Sequence, residues 1–239
     1  MFVCMKKYHA TISADIIAST SLDSKEIATL TLYIQQLLQH IEEYLSGKDR
    51  IYSRLILGDY IECLINKPKD ALRVALILKT GIKSFHLEKK TERVSANRKL
   101  FQSYGIRVAI GIGQMNTELI EKDILNGDAI SRSGRLIAEQ RTSNKEKIVI
   151  KNTLFIDSPN AVLNNTFTVI LGLMDELLNK ATGKQSEIIF LKLFGLNEEE
   201  ISRKLNIGQS SVNQQSRAAG WNAIEQAVKY YESYNFRLK

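Results

Sequence analysis

The chain has 239 residues, enough to bury one large core or two modest ones. Its 44% hydrophobic and 25% charged residues are ordinary for a globular protein and exclude a largely disordered chain. A net charge of +7 points toward nucleic acid or other anionic partners.

In chain order, residues 9–17 alternate loosely and predict a strand. It runs into STSLDSKE, where Ser21, Asp23 or Ser24 can cap a helix. Ile27, Leu30, Ile34, Leu37, Leu38, Ile41 and Leu45 recur at helical spacing, and Gly47 closes that helix. Residues 51–57 and 60–65 predict a hairpin turning at Gly58-Asp59, a pair suited to a tight turn. Pro68 suits the first turn of a helix carrying Ala71, Val74, Ala75, Ile77 and Leu78. Residues 106–112 (IRVAIGI) predict a further strand, residues 131–140 a helix, and residues 147–150 (KIVI) a fifth strand. Two crossover helices around a hairpin give an α+β sheet of ferredoxin-like type with its helices on one face. From about Thr166 the pattern is wholly helical. The expected organisation is therefore an α+β unit over residues 1–158 and an all-α unit over 166–239.

Charge is unevenly placed. Residues 83–107 hold seven Lys or Arg against two Glu, which reads as a solvated helix or loop. Residues 160–239 hold nine against eight. Cys4 and Cys63 have neither metal-ligand spacing nor disulfide density, so a reduced, cytoplasmic location is expected. No signal peptide follows the basic amino terminus, and no apolar run approaches the roughly 18 residues of a membrane span, so no membrane role is expected. His9, His40 and His86 form no constellation, and no Walker loop or zinc spacing appears.

Asp15 and Asp59 each interrupt a short apolar run, TISADIIAST and RLILGDYIECLI. Local reasoning leaves two readings open. They are a helix cap and a hairpin turn, or two carboxylates aimed at one divalent cation, since hard cations take oxygen ligands.

Four motifs in order resemble the class III nucleotidyl cyclase catalytic domain: DIIAST at 15–20, Gly58-Asp59, RVAIGIG at 107–113, and GDAISRSGRL at 127–136. The resemblance implies that Asp15, Asp59 and the Ile16 backbone carbonyl hold Mg or Mn beside a nucleoside triphosphate. It implies that Ser19, Thr20 and Gly58 approach the nucleotide, that Arg135 stands at the catalytic arginine, and that a homodimer completes the site. The chain departs from the pattern at Ser131, where the family has a transition-state asparagine. It departs again at Leu55 and Ile124, where base-selecting polar residues belong, with Arg54 and Asp123 one residue away. These departures leave a diverged, nucleotide-sensing domain as the expectation, with an active cyclase of atypical base preference as the alternative.

Residues 184–219 resemble the helix-turn-helix of sigma-factor region four. Ile201, Leu205, Ile207 and Val212 form the core pattern, and Gln209, Ser210, Ser211, Asn213, Gln214 and Arg217 lie on the recognition helix. That resemblance implies DNA as a partner, since Gln and Asn pair with adenine edges, Arg with guanine and Ser with phosphate. A bundle for protein contacts is the other reading. The joint layout resembles the SatD family of bacterial proteins.

Overall fold

The computed structural model describes residues 7–46, 51–56, 58–87, 95–116, 124–140 and 150–236. Its centre is a five-stranded sheet of order β2-β3-β1-β4-β5. The strands are β1 (His9–Ile16), β2 (Ile51–Ile56), β3 (Tyr60–Ile65), β4 (Ile106–Gly113) and β5 (Leu154–Asp157). All neighbours are antiparallel except β4 and β5. β2 and β3 meet through the Gly58-Asp59 turn, where Gly58 takes φ 82, a conformation that costs glycine nothing.

Alternation on β1 sorts the layers. Ala10, Ile12, Ala14 and Ile16 join the main core with α1 (Ser24–Ser46) and α2 (Ala71–Ser84). Thr11 and Ser13 turn to the opposite face, where both hydroxyls hydrogen-bond the Ser133 hydroxyl of α4 (Asp128–Gln140), at 2.9 and 2.8 Å. The sheet is therefore covered on both faces, not on one as the pattern predicts. The second layer is α4, which meets the strands through Ala129, Ser133 and Ile137. Gly111 of β4 permits the close approach, because a Cβ there would lie 2.1 Å from the Ala129 carbonyl oxygen.

Asp23 caps α1. Its carboxylate accepts the Glu26 N–H at 2.9 Å while the Glu26 carboxylate accepts the Asp23 N–H at 3.1 Å. A 3₁₀ turn at Pro68–Asp70 leads into α2, as Pro68 predicts. Of the strand predicted at 147–150, residues 147–149 lie outside the described residues and Ile150 belongs to no strand. The fifth strand is β5, at the end of the expected α+β unit.

The basic segment departs most from expectation. It contains α3 (Ala96–Tyr104), and three of its cations are spent internally. Lys83 donates to the Leu178 and Asn179 carbonyls, Arg98 makes a two-pronged pair with Glu26, and Arg107 pairs with Asp15. Lys99, the fourth cation among its described residues, is exposed.

Helix α5 (Ala161–Lys180) starts between residues 158 and 166 and buries Leu163, Phe167, Leu171, Met174 and Leu178 in the main core. By length and composition alone α5 could cross a membrane, unlike the expectation from the sequence, yet one face of it is built into the protein. There follow α6 (Gly183–Leu193), α7 (Glu198–Leu205), α8 (Gln209–Ala218) and α9 (Trp221–Ser233). Thr182 with Gln185 and Asn197 with Glu200 form capping boxes that start α6 and α7. Tyr231, Tyr234 and Phe236 pack around one another and Phe167, at ring separations of 4.8–5.4 Å. The aromatic end of the chain thus closes on its own core.

Candidate functional site

Asp15 is the last residue but one of β1 and Asp59 sits in the β2–β3 turn, and the pairing of the strands brings them together. Asp15 is opposite Tyr60 in the ladder, and the Ile16 N–H donates to the Asp59 carbonyl at 3.0 Å. Both carboxylates line a cavity of about 350 Å³ walled by Ile56 and Tyr60 of the hairpin and by Gly134, Ile137 and Ala138 of α4.

Each carboxylate has a partner. Arg107, opposite Asp15 on β4, donates to its Oδ2 at 3.0 Å, with both side chains nearly buried. The Ser19 hydroxyl donates to Asp59 Oδ2 at 3.0 Å. Ser19 and Thr20 form a single 3₁₀ turn after Ala18, which takes a left-handed φ of 55. The Ser21 and Leu22 N–H groups are consumed inside that turn, so they are not presented as donors, and Thr20 is exposed. Arg107 carries no role in the sequence reading. Its one signal is being the single charge inside an apolar strand.

The donor set can be tested against a divalent cation. No group of three or more His, Cys, Asp or Glu converges among the described residues, and Arg107 already offsets one of the two negative charges. Two carboxylates and the Ile16 carbonyl make an incomplete protein cage. They suit magnesium or manganese held in the usual shared way, by one or two carboxylates with the rest supplied by phosphate and water.

The other cyclase-pattern residues stand apart. Arg135 is exposed on the outer side of α4 with no partner among the described residues, and the Ser131 hydroxyl is returned to the Gly127 carbonyl at 3.0 Å. Leu55 packs on the core. Arg54 is engaged by Glu62 through two bonds, at 2.9 and 2.7 Å. Ile124 is half exposed, and Asp123 lies outside the described residues.

In the helical part, Ile201 and Val212 are fully buried with Ile188 and Leu191, and Leu205 and Ile207 pack against them. Residues 206–208 link α7 to α8, Asn206 taking φ 51 at the end of α7. Gln209, Ser210, Ser211, Asn213, Gln214 and Arg217 are all exposed. The Asn213 amide is held by Glu198, at 3.1 and 3.3 Å.

The molecule is thus a mixed α+β protein with a carboxylate-walled cavity between sheet and α4, and a short helix pair presenting polar side chains. No family model matches the chain, and no curated protein matches it. Among solved structures, that of a bacterial light-regulated adenylyl cyclase matches at a TM-score of 0.36 and 17% identity, over 62% of this chain and 42% of that one. The chain thus spans less than half the length of that protein. A likeness at this level assigns no function.

Proposed function

We propose that the protein is a DNA-binding regulator whose sheet-side cavity takes a nucleotide with magnesium or manganese, a diverged relation of the cyclase site. The observation that carries the reading is α8. Its buried residues are only Val212 and Ser216, and its six exposed polar side chains follow a three-residue turn. Glu198 beside Asn213 and a nearly neutral helical part argue for weak binding by one copy, because phosphate neutralisation dominates affinity for DNA. Fluorescence anisotropy on duplex DNA across a salt series tests this. Binding should weaken steeply with salt, and Arg217→Ala should cost about 1–3 kcal/mol if it contacts a base. No binding at low salt, or indifference to the α8 substitutions, would sink the reading.

At the cavity, Asp15, Asp59 and the Ile16 carbonyl would hold the metal, which would neutralise phosphate charge. Arg107 orients Asp15 and has a guanidinium that can pair with phosphate in its place. Asp59→Asn should abolish the metal dependence of triphosphate binding, read by calorimetry with Mn²⁺. Equal affinity with and without metal in the unaltered protein would refute the assignment.

Ser131 and Arg135 are exposed on α4 and are not among the residues that line the cavity, so the reading brings them to a site through a second copy. A homodimer is therefore part of the proposal, and light scattering over micromolar concentrations, with and without nucleotide, checks it. A strict monomer in every condition removes the composite site.

An active cyclase is the second reading, favoured by Arg135, which has no partner among the described residues. Ser131 lacks the amide donor, a loss that commonly lowers rates about 10²–10³-fold. Little or no cyclic product is expected.

A further inference from the structure

A larger cavity, of about 540 Å³, lies on the other side of the molecule. That volume falls within the roughly 300–1,000 Å³ of small-molecule sites. It is framed by the end of α1, the start of α2, the α6–α7 turn and α9. Its walls carry two aromatic rings, Trp221 and Tyr44, three cations, Lys69, Arg73 and Lys192, and three carboxylates, Asp70, Glu225 and Glu232.

The charges there are not equally available. Glu232 is committed to Arg73 at 2.6 Å, and Glu225 to Lys229 at 3.0 Å. Lys69 is exposed and has no ion-pair partner among the described residues. The Lys192 ammonium, on a side chain 9% exposed, lies 5.6 Å over the Trp221 ring and shares Glu198 Oε1 at 3.2 Å. That same Glu198 holds the Asn213 amide on α8. One unbroken line of polar contacts therefore runs from the cavity wall through Lys192 and Glu198 to an exposed side chain of α8.

We propose that this cavity binds a small organic anion carrying a flat ring, and that its occupant draws Lys192 from Glu198 and so alters Asn213. The ring would lie against Trp221 and the anion between Lys69 and Lys192, which line the same cavity. The consequence for α8 rests on the DNA-binding reading; the binding itself does not.

Trp221 is the one tryptophan of the chain, so its fluorescence reports the cavity alone. Adenosine monophosphate and benzoate, titrated in EDTA to silence any metal-dependent site, distinguish a phosphate-bearing from a carboxylate-bearing occupant. Inorganic phosphate and acetate are the ring-free controls. Saturable quenching by at least one ring-bearing anion is expected. Lys69→Ala and Lys192→Met should each weaken it about tenfold or more, the loss of one charge-assisted bond. Lys69 is exposed and methionine keeps the stem over Trp221, so both variants should fold. The side-chain amide resonance of Asn213 should shift on ligand addition in the absence of DNA. No saturable change with either ring-bearing probe, equal response to the ring-free anions, or full affinity in both lysine variants would overturn the site. Quenching with an unmoved Asn213 resonance would overturn the coupling.

Discussion

Replacing Asp175 with alanine should cost about 3–5 kcal/mol, the usual penalty for leaving one member of a buried ion pair alone. Asp175 accepts both the N–H and the hydroxyl of Thr153, and its Oδ1 lies 3.8 Å from the Lys79 ammonium. Lys79 in turn donates to Thr153 and to the Tyr104 and Ile106 carbonyls, and none of its surface reaches solvent. Total stability of a domain is about 5–15 kcal/mol, so the loss should be plain in urea unfolding. Lys79→Met in the Asp175→Ala background should recover much of it, because the stranded charge is gone. A single variant as stable as the parent would refute the account.

The same group sets a pH dependence. Burial pushes the Lys79 ammonium down to about 7 from 10.5, with Asp175 pulling the other way, and burial pushes Lys83 down to about 8. Between pH 7 and 10.5 the unfolded chain therefore holds more protons than the folded one, so stability should rise with pH across that window. Below pH 7 both states are protonated and this contribution is flat. The Tm of the Lys79→Met protein should climb less steeply; parallel profiles would contradict the assignment.

Gly111→Ala should disrupt the seating of α4. The new methyl would meet the Ala129 carbonyl oxygen at 2.1 Å and the Ser133 nitrogen at 2.7 Å, both backbone atoms that cannot rotate away. Overpacking costs about 1–3 kcal/mol and more where backbone must shift. Because Gly134, Ile137 and Ala138 wall the Asp15–Asp59 cavity, metal and nucleotide binding should fall with stability. Gly134→Ala is the control for stability alone. Its methyl would come no nearer than 3.9 Å to the Tyr60 hydroxyl, and alanine favours a helix by about 1 kcal/mol. Equal stability of Gly111→Ala and the parent would show that α4 is not held this closely.

Much of this was legible beforehand. The Gly58-Asp59 turn follows from turn chemistry, α1 from its apolar spacing, and the packing of Ile201, Leu205, Ile207 and Val212 from their intervals. What escaped depends on partners remote in sequence. Arg98 and Arg107 look like surface charges until Glu26 and Asp15, 72 and 92 residues away, are brought beside them. The four-residue β5 is too short for a periodic signal. The two-sided cover of the sheet was hidden because an amphipathic pattern such as that of α4 marks a buried face without saying which side of the sheet it covers.

The ties of α2 to α5 also bear on how the chain is made. A ribosome delivers β1, the hairpin and α2 well before residues 175–179 emerge. Until then the Lys79 and Lys83 ammonium groups lack Asp175 and the Leu178 and Asn179 carbonyls. The nascent sheet half must therefore wait, its α2 face wet and unsettled, for the helical half to arrive. Synthesis that stalls between the two would leave a fragment suited to capture by chaperones, and stop codons in that interval should yield little soluble product.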